Sequence, residues 1–277
     1  MSAEIIDGRA LANAWLDELA IQFCAIGAPI HLATIIVGDD SSLKTFIKVK
    51  QKAAQLVGVT FSSYEFSSDE MDEAKETLRF LSKDDSVNGI IVELPLPKSF
   101  DQENFLSLIS LEKDVDCISL ACEEKFYNGK STIMPPSVVA LKRALDSIDF
   151  SVSSTSCVVI GNGKLVGRPI AHWLKSQGVQ VAIIDDATKN PQTISSSADL
   201  VIAGSGVASL VNADWIKKDA IVIDFGCAPV DGKFVGDVDF DSTKSKASAI
   251  TPVPGGMGPL VVAAVLENLL ELSTRSC

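Results

Sequence analysis

Apolar residues recur every fourth position at Leu11, Trp15, Leu19 and Phe23, which predicts an amphipathic helix over residues 7–26. The uninterrupted stretch HLATIIV, His31–Val37, reads as a buried strand. The pattern then alternates. Residues 42–56, rich in Lys and Ala, predict a helix, and residues 59–64 predict a second strand. Residues 69–81 predict a helix capped by Ser67 or Ser68, and Gly89–Val92 a third strand, ended by Pro95 and Pro97. Residues 113–133 are less regular. Pro135 and Pro136 introduce a helix to about Leu145, and the polar stretch 148–156 leads into a second alternation. Its parts are a strand from Cys157, a helix from Pro169, strands at Gln180–Ile184, Leu200–Ala203 and 220–224, and an apolar closing helix over 259–272. Strands alternating with helices imply βαβ units and parallel sheets, so the fold class is α/β.

Composition narrows the function. The 277 residues are 47% hydrophobic and 22% charged, enough for a sizeable core. Lys plus Arg is 24 against 36 Asp plus Glu, a net charge of -12. That balance repels phosphate backbones and anionic lipid, so neither a nucleic-acid nor a membrane partner is expected. An anionic ligand would need a local cluster of donors. His31 and His172 are the only histidines, which argues against a multi-His metal site, and no metal is expected. Cys24, Cys117, Cys122, Cys157, Cys227 and Cys277 are scattered without a CxxC pair, so a reduced, cytoplasmic compartment is expected. The start, MSAEIIDGRALANAW, lacks a basic segment followed by an apolar run, and no signal peptide is expected. No apolar stretch reads as long enough to span a bilayer.

After the Cys157 strand comes GNGKLVGRP, residues 161–169. A glycine-rich turn between a buried strand and a helix lets phosphate oxygens approach backbone N–H groups at the positive helix end. Pro169 suits a first helical turn, where its missing N–H costs nothing. The spacing is GxGxxxG, one residue longer than the dinucleotide fingerprint, and a purely structural turn would look the same. The next strand ends in Asp185 and Asp186. An acid there can take the adenosine ribose hydroxyls and repel a 2′-phosphate, which favours NAD over NADP. Asp185 is the better candidate, and Asp186 reads equally as a solvated loop acid. The candidate cofactor set is Gly161, Asn162, Gly163, Lys164, Val166, Gly167, Asp185 and Gly206. Lys164 after a glycine is not a P-loop lysine, because GxxxxGK[ST] is absent.

Seven blocks appear in order: IIDGRALA (5–12), IVELPLP (91–97), EKDVD (112–116), VVIGNGKLVGRP (158–169), ADWIKKDAIVIDFG (213–226), VGDVDF (235–240) and ITPVPGGMGP (250–259). With these blocks the chain resembles methylenetetrahydrofolate dehydrogenase/methenyltetrahydrofolate cyclohydrolase of the bifunctional FolD type, from about Ile5 to Leu272. The resemblance implies an N-terminal α/β folate domain, a C-terminal Rossmann domain, a last helix returning to the first domain, and an active site in the cleft between the domains. On that reading 1–138 with 259–277 form the folate domain and 139–258 the NAD(P)-binding domain. It also implies a homodimer, a tetrahydrofolate derivative as substrate and NAD or NADP as cofactor.

The resemblance assigns roles as well. Its central motif, a Tyr and a Lys four apart on one helix face, falls on Phe46 and Lys50. Lys50 would polarise the folate and activate water. Asp116 would accept from the pterin 2-amino and ring N–H groups, and Asp114 would be structural. Val92, Leu94, Pro254, Gly255 and Gly256 would line the folate, with Glu93 standing where the family commonly has Gln. Departures cluster here. Phe46 loses the hydroxyl, and Glu93 adds a charge that raises the lysine pKa. Other changes are Cys117 for Gly, Gly163 for Ser, Ala228 for Asn and Val261 for Thr. The expected function is oxidation of 5,10-methylenetetrahydrofolate with NAD(P), with hydrolysis to 10-formyltetrahydrofolate weakened. A non-catalytic folate- or nucleotide-binding paralogue is the alternative, and an oxidoreductase for another one-carbon substrate a third reading.

Overall fold

The computed structural model describes residues 3–38 and 41–275. In chain order the elements begin β1 (Glu4–Ile5), α1 (Gly8–Ile26), β2 (His31–Val37), α2 (Ser41–Leu56), β3 (Thr60–Phe66), α3 (Met71–Lys83) and β4 (Gly89–Val92). Two short helices, α4 (Gln102–Leu106) and α5 (Leu120–Tyr127), precede α6 (Pro136–Asp146). Then come β5 (Ser156–Ile160), α7 (Gly167–Ser176), β6 (Gln180–Ile184), α8 (Pro191–Ser195), β7 (Leu200–Ala203) and β8 (Ile221–Asp224). The chain closes with β9 (Ala228–Val230), β10 (Lys233–Val235), α9 (Phe240–Lys244), β11 (Ala249–Ile250) and α10 (Met257–Arg275).

Two compact units result: Asn13–Pro136 with Val262–Cys277, and Met1–Ala12 with Ser137–Val261. The division expected from sequence put the first residues in the other unit. They belong with Ser137–Val261 because β1 pairs in parallel with β11, Glu4 opposite Ala249 and Ile5 opposite Ile250. A strand this short has no periodicity to read.

In the Asn13–Pro136 unit the strand order is β3-β2-β4 and both pairings are parallel. β2 is central, which accounts for its mostly apolar sequence without alternation: a strand covered on both faces has no solvent side to alternate toward. Alternation sends Ala33, Ile35, Val37, Ile90 and Val92 to one face, where they pack with Ala74, Leu78 and Leu81 of α3. The opposite face carries Thr34 and Ile36, and Ile36 packs with Ile47 of α2. Glu93 continues the alternation past Val92 and falls on the α2 face, its N–H donating to the Ile35 carbonyl at 2.9 Å. Ser67 and Ser68 do not cap α3. The helix begins after Glu70, which reaches back to accept the Ser67 N–H at 2.7 Å. The irregular stretch after residue 113 contains α5, capped by Ser119, whose Oγ accepts from Cys122 N.

The second unit holds a six-stranded sheet of order β1-β11-β8-β7-β5-β6, every pairing parallel. β5 comes first of the central strands. The chain then places β6 on one side of it and crosses to place β7 on the other. The reversal at β5 and β7 is a topological switch point, where a crevice opens outside the carboxyl ends of the strands. α7 begins at Gly167, two residues earlier than the sequence indicated.

By length and composition α10 is apolar enough to cross a membrane, contrary to the expectation from sequence, but in this fold it is mostly buried. Leu269 on this helix explains Gly89. A Cβ added at Gly89 would lie 2.6 Å from Leu269 Cδ1 and 2.7 Å from Val115 Cγ1. Gly89→Ala is expected to cost about 1–3 kcal/mol through overpacking, measured as a shift in the denaturant midpoint at constant slope.

Candidate active site

Strand alternation and one helix assemble the first group of side chains. Thr34 on β2 and Glu93 just past β4 share the face that α2 covers. Lys50 on α2 reaches down to it and donates to both Glu93 oxygens, at 2.7 Å to Oε1 and 2.9 Å to Oε2. Thr34, fully buried, donates to the same Oε1 at 3.3 Å. The Lys50 and Glu93 side chains are 16% and 7% exposed, so this is a buried ion pair. Phe46, one helical turn before Lys50, is half-buried. Val92 points the other way, into the α3-side core, and Leu94 packs against that core. A ligand at Glu93 therefore cannot meet the Val92 side chain.

Asp116 reaches the pair from a loop pinned at three points. Ile90 N–H donates to the Lys113 carbonyl at 2.7 Å, and the buried Asp114 carboxylate accepts from Ile118 N and Ser119 N at 3.1 and 2.8 Å. Asn268 of α10 donates to the Val115 and Met134 carbonyls, each at 2.8 Å. Asp114 is thus structural. Cys117, directly after Asp116, sits at φ 54°, in the left-handed region that favours glycine. A glycine, which the resemblance has at this place, adopts that conformation without a Cβ penalty, and here Cys117 adopts it.

The electrostatics follow from burial. Asp116 makes no hydrogen bond to any described residue, and burial pushes its carboxyl up to about 7. The Lys50 ammonium opposes that rise, while Glu93 and Asp114 add to it. For Lys50, burial favours the neutral amine. The Glu93 charge, the Asp116 charge and the hydrogen bonds to Glu93 outweigh it, so the pKa ends above the ordinary lysine value.

The second group lies at the switch point of the Rossmann-type sheet. Gly161 follows β5 with φ 100°, and a Cβ there would lie 2.4 Å from the Gly204 carbonyl after β7. Gly167 is required as well, because its Cβ would lie 2.0 Å from the Gly161 carbonyl. No side chain caps α7. Arg168 N is spent on the Gly163 carbonyl at 3.0 Å and Pro169 has no N–H, so of the first turn Gly167 keeps its N–H for an anion, and added Cβ atoms at Gly163 and Gly206 would meet open space. Asn162 and Gly163 are exposed, and Lys164 and Val166 are half-buried along the same turn. The residues present fit a dinucleotide. At the end of β6, Asp185 Oδ1 accepts from Ala187 N and Thr188 Oγ1 at 3.1 and 2.8 Å, which fixes the exposed carboxylate in place. Asp186 is exposed. In this unit too, Gly255, at φ 105°, accepts from Arg9 N at 2.9 Å, with Pro254 exposed and Gly256 buried beside it.

Residues 6–116 match the family described as Tetrahydrofolate dehydrogenase/cyclohydrolase, catalytic domain, and residues 135–277 match its NAD(P)-binding domain. The chain belongs to the tetrahydrofolate dehydrogenase/cyclohydrolase family. Within it, the Bifunctional protein FolD of Caldanaerobacter subterraneus is 35% identical over 271 residues, covering 98% of this chain and 97% of that one. The Bifunctional protein FolD of Oceanobacillus iheyensis is 36% identical over 274 residues, covering 97% and 96%. The Trypanosoma brucei N5,N10-methylenetetrahydrofolate dehydrogenase-cyclohydrolase, complexed with NADP cofactor and inhibitor, has a TM-score of 0.95 at 33% identity, covering 100% and 99%. The NAD-dependent 5,10-methylenetetrahydrofolate dehydrogenase of Saccharomyces cerevisiae shares the fold, with a TM-score of 0.85 at 20% identity over 99% and 98% of the two chains.

Sequence reasoning missed Thr34 and Asn268. Each had a signal: a hydroxyl inside HLATIIV, and an amide inside the apolar run of the last helix. Removing one partner of a buried ion pair strands the other. Lys50→Met is expected to cost about 3–5 kcal/mol, with part of the loss restored by adding Glu93→Gln, read from denaturation of both variants.

Proposed function

We propose that this chain oxidises 5,10-methylenetetrahydrofolate to the methenyl compound with a nicotinamide dinucleotide and hydrolyses the product to 10-formyltetrahydrofolate, with hydrolysis the weaker step. The observation that carries this reading is the cluster of Lys50, Glu93 and Asp116 in a member of this family. Asp116 has a half-buried carboxyl with no hydrogen bond to any described residue, suited to a planar pair of pterin N–H donors, and Lys50 supplies the cation that orients the folate. When bound, the dinucleotide supplies the hydride acceptor. Hydrolysis adds water to the methenyl carbon and then breaks a C–N bond, so it needs a base for the water proton. The Glu93 carboxylate holds Lys50 protonated and takes that base away, whereas hydride transfer depends on orientation.

Asp185 supports NAD over NADP. Its carboxylate is fixed beyond β6 and exposed, where it can accept from two ribose hydroxyls and repel a phosphate. The family resemblance supports a homodimer. The cysteines of the described residues are free thiols, and the Cys122 thiol donates to Cys117 Sγ at 2.8 Å rather than forming a disulfide, which suits a reducing, cytoplasmic setting.

The deciding experiment is a paired assay of methylenetetrahydrofolate oxidation with each nicotinamide and of methenyl hydrolysis in one preparation. Oxidation faster with NAD and slow hydrolysis are expected, with Glu93→Gln raising the hydrolysis rate. Binding of folate and dinucleotide without turnover would overturn the reading. Asp116 also sets a pH dependence. If the ionised form captures the folate, oxidation kcat/KM falls as pH drops through about 7, approaching about tenfold per unit below it. Asp116→Asn should flatten that limb.

A further inference from the structure

Asp237 is fully buried, and nothing above gives it a task. It lies between β10 and α9, yet its carboxylate reaches the turn that follows β7. Oδ2 accepts from Ser205 N at 2.5 Å, Ser205 Oγ at 2.9 Å and Gly206 N at 3.0 Å. Both backbone donors of that turn are therefore spent on Asp237 and are not free for a phosphate. What the turn offers a ligand is the open surface of Gly206, at φ 74°.

Asp237 is itself held. Its N–H donates to Asp224 Oδ1 at 3.1 Å, and Val238 N donates to Asp224 Oδ2 at 3.0 Å. Asp224 Oδ1 also accepts from Gly226 N at 2.7 Å. Two glycines permit this approach: a Cβ on Gly226 would lie 2.2 Å from Asp237 Oδ1, and one on Gly236 2.0 Å from Asp224 Oδ2. Burial pushes the Asp224 carboxyl up to about 7, against the pull of the Val238 and Gly226 N–H groups, with the Asp237 charge adding to the rise.

The turn's position gives it meaning. Adenosine ribose belongs at the end of β6 beside Asp185, and the pyrophosphate at the amino end of α7. The remaining half of the cofactor then falls on the other side of β5, at the end of β7. We infer that Asp237 is a positioning residue for the nicotinamide half of the dinucleotide, acting through the Ser205–Gly206 turn. The inference rests on the proposed reaction for its cofactor, and the reaction offers a control, because methenyl hydrolysis uses no nicotinamide.

The test compares Asp237→Ala, Asp237→Asn and Ser205→Ala. Calorimetry measures NAD affinity, and steady-state assays give KM for NAD, KM for the folate and the hydrolysis rate. For Asp237→Ala, Kd and KM for NAD should each rise by about tenfold or more, while the folate KM and hydrolysis stay near wild type. Asp237→Asn keeps an acceptor oxygen and should recover most of the affinity, and Ser205→Ala should fall between. Unchanged NAD affinity in Asp237→Ala overturns the inference. So does a parallel loss of hydrolysis and thermal stability, or no recovery in Asp237→Asn. A wild-type chain that binds NAD without turning over folate defeats the proposed reaction alone.

Discussion

Parallel strands covered on both faces confine polar chemistry to their carboxyl ends, where the ladder stops and the chain must turn. This chain obeys that constraint in both units. Glu93 follows β4, Gly161 follows β5, Asp185 follows β6, Gly204 follows β7, and Asp224 ends β8. Thr34 is the exception, a hydroxyl within β2, and it is tolerated because Glu93 accepts its hydrogen.

The same confinement creates a recurring difficulty, carboxyl groups held away from water, and the structure solves it in different ways. Glu93 takes a lysine cation. Asp114, Asp224 and Asp237 take backbone N–H groups and so serve as staples for loops that have no periodic structure of their own. Asp116 has no such partner among the described residues. A half-buried carboxyl without donors of its own, facing a cationic neighbour, is the group best prepared to gain from a ligand's donors. Stability and function are thereby divided among chemically identical side chains by what surrounds them.

Much of the fold could be read from the chain. The mainly apolar runs at His31–Val37, Gly89–Val92 and Leu200–Ala203 are strands with those bounds, β2 and β7 central in their sheets and β4 at an edge, and nearly all of their residues are buried. The elements that escaped reading are short. β1 and β11 are two-residue strands, and α4, α8 and α9 span one turn or so, too little for a period of 2 or 3.6 to declare itself. The irregular stretch containing α5 hid for another reason: its order comes from Asp114 and Asn268, a loop staple and a distant helix, rather than from its own pattern.

The sequence by itself determined the α/β class, the glycine turn with its acid one strand further on, and the family that the ordered blocks from IIDGRALA to ITPVPGGMGP resemble. These follow from local periodicity and from motifs contiguous along the chain. Only the tertiary structure decided that Lys50 grips both oxygens of Glu93, that the first residues complete the distant six-stranded sheet, and that Val92 faces a core. It alone also joined Asp237 to Ser205. Each depends on which face of a strand meets which helix, or on a carboxylate reaching a turn far away in sequence. Such distances belong to the packed chain, and no local pattern encodes them.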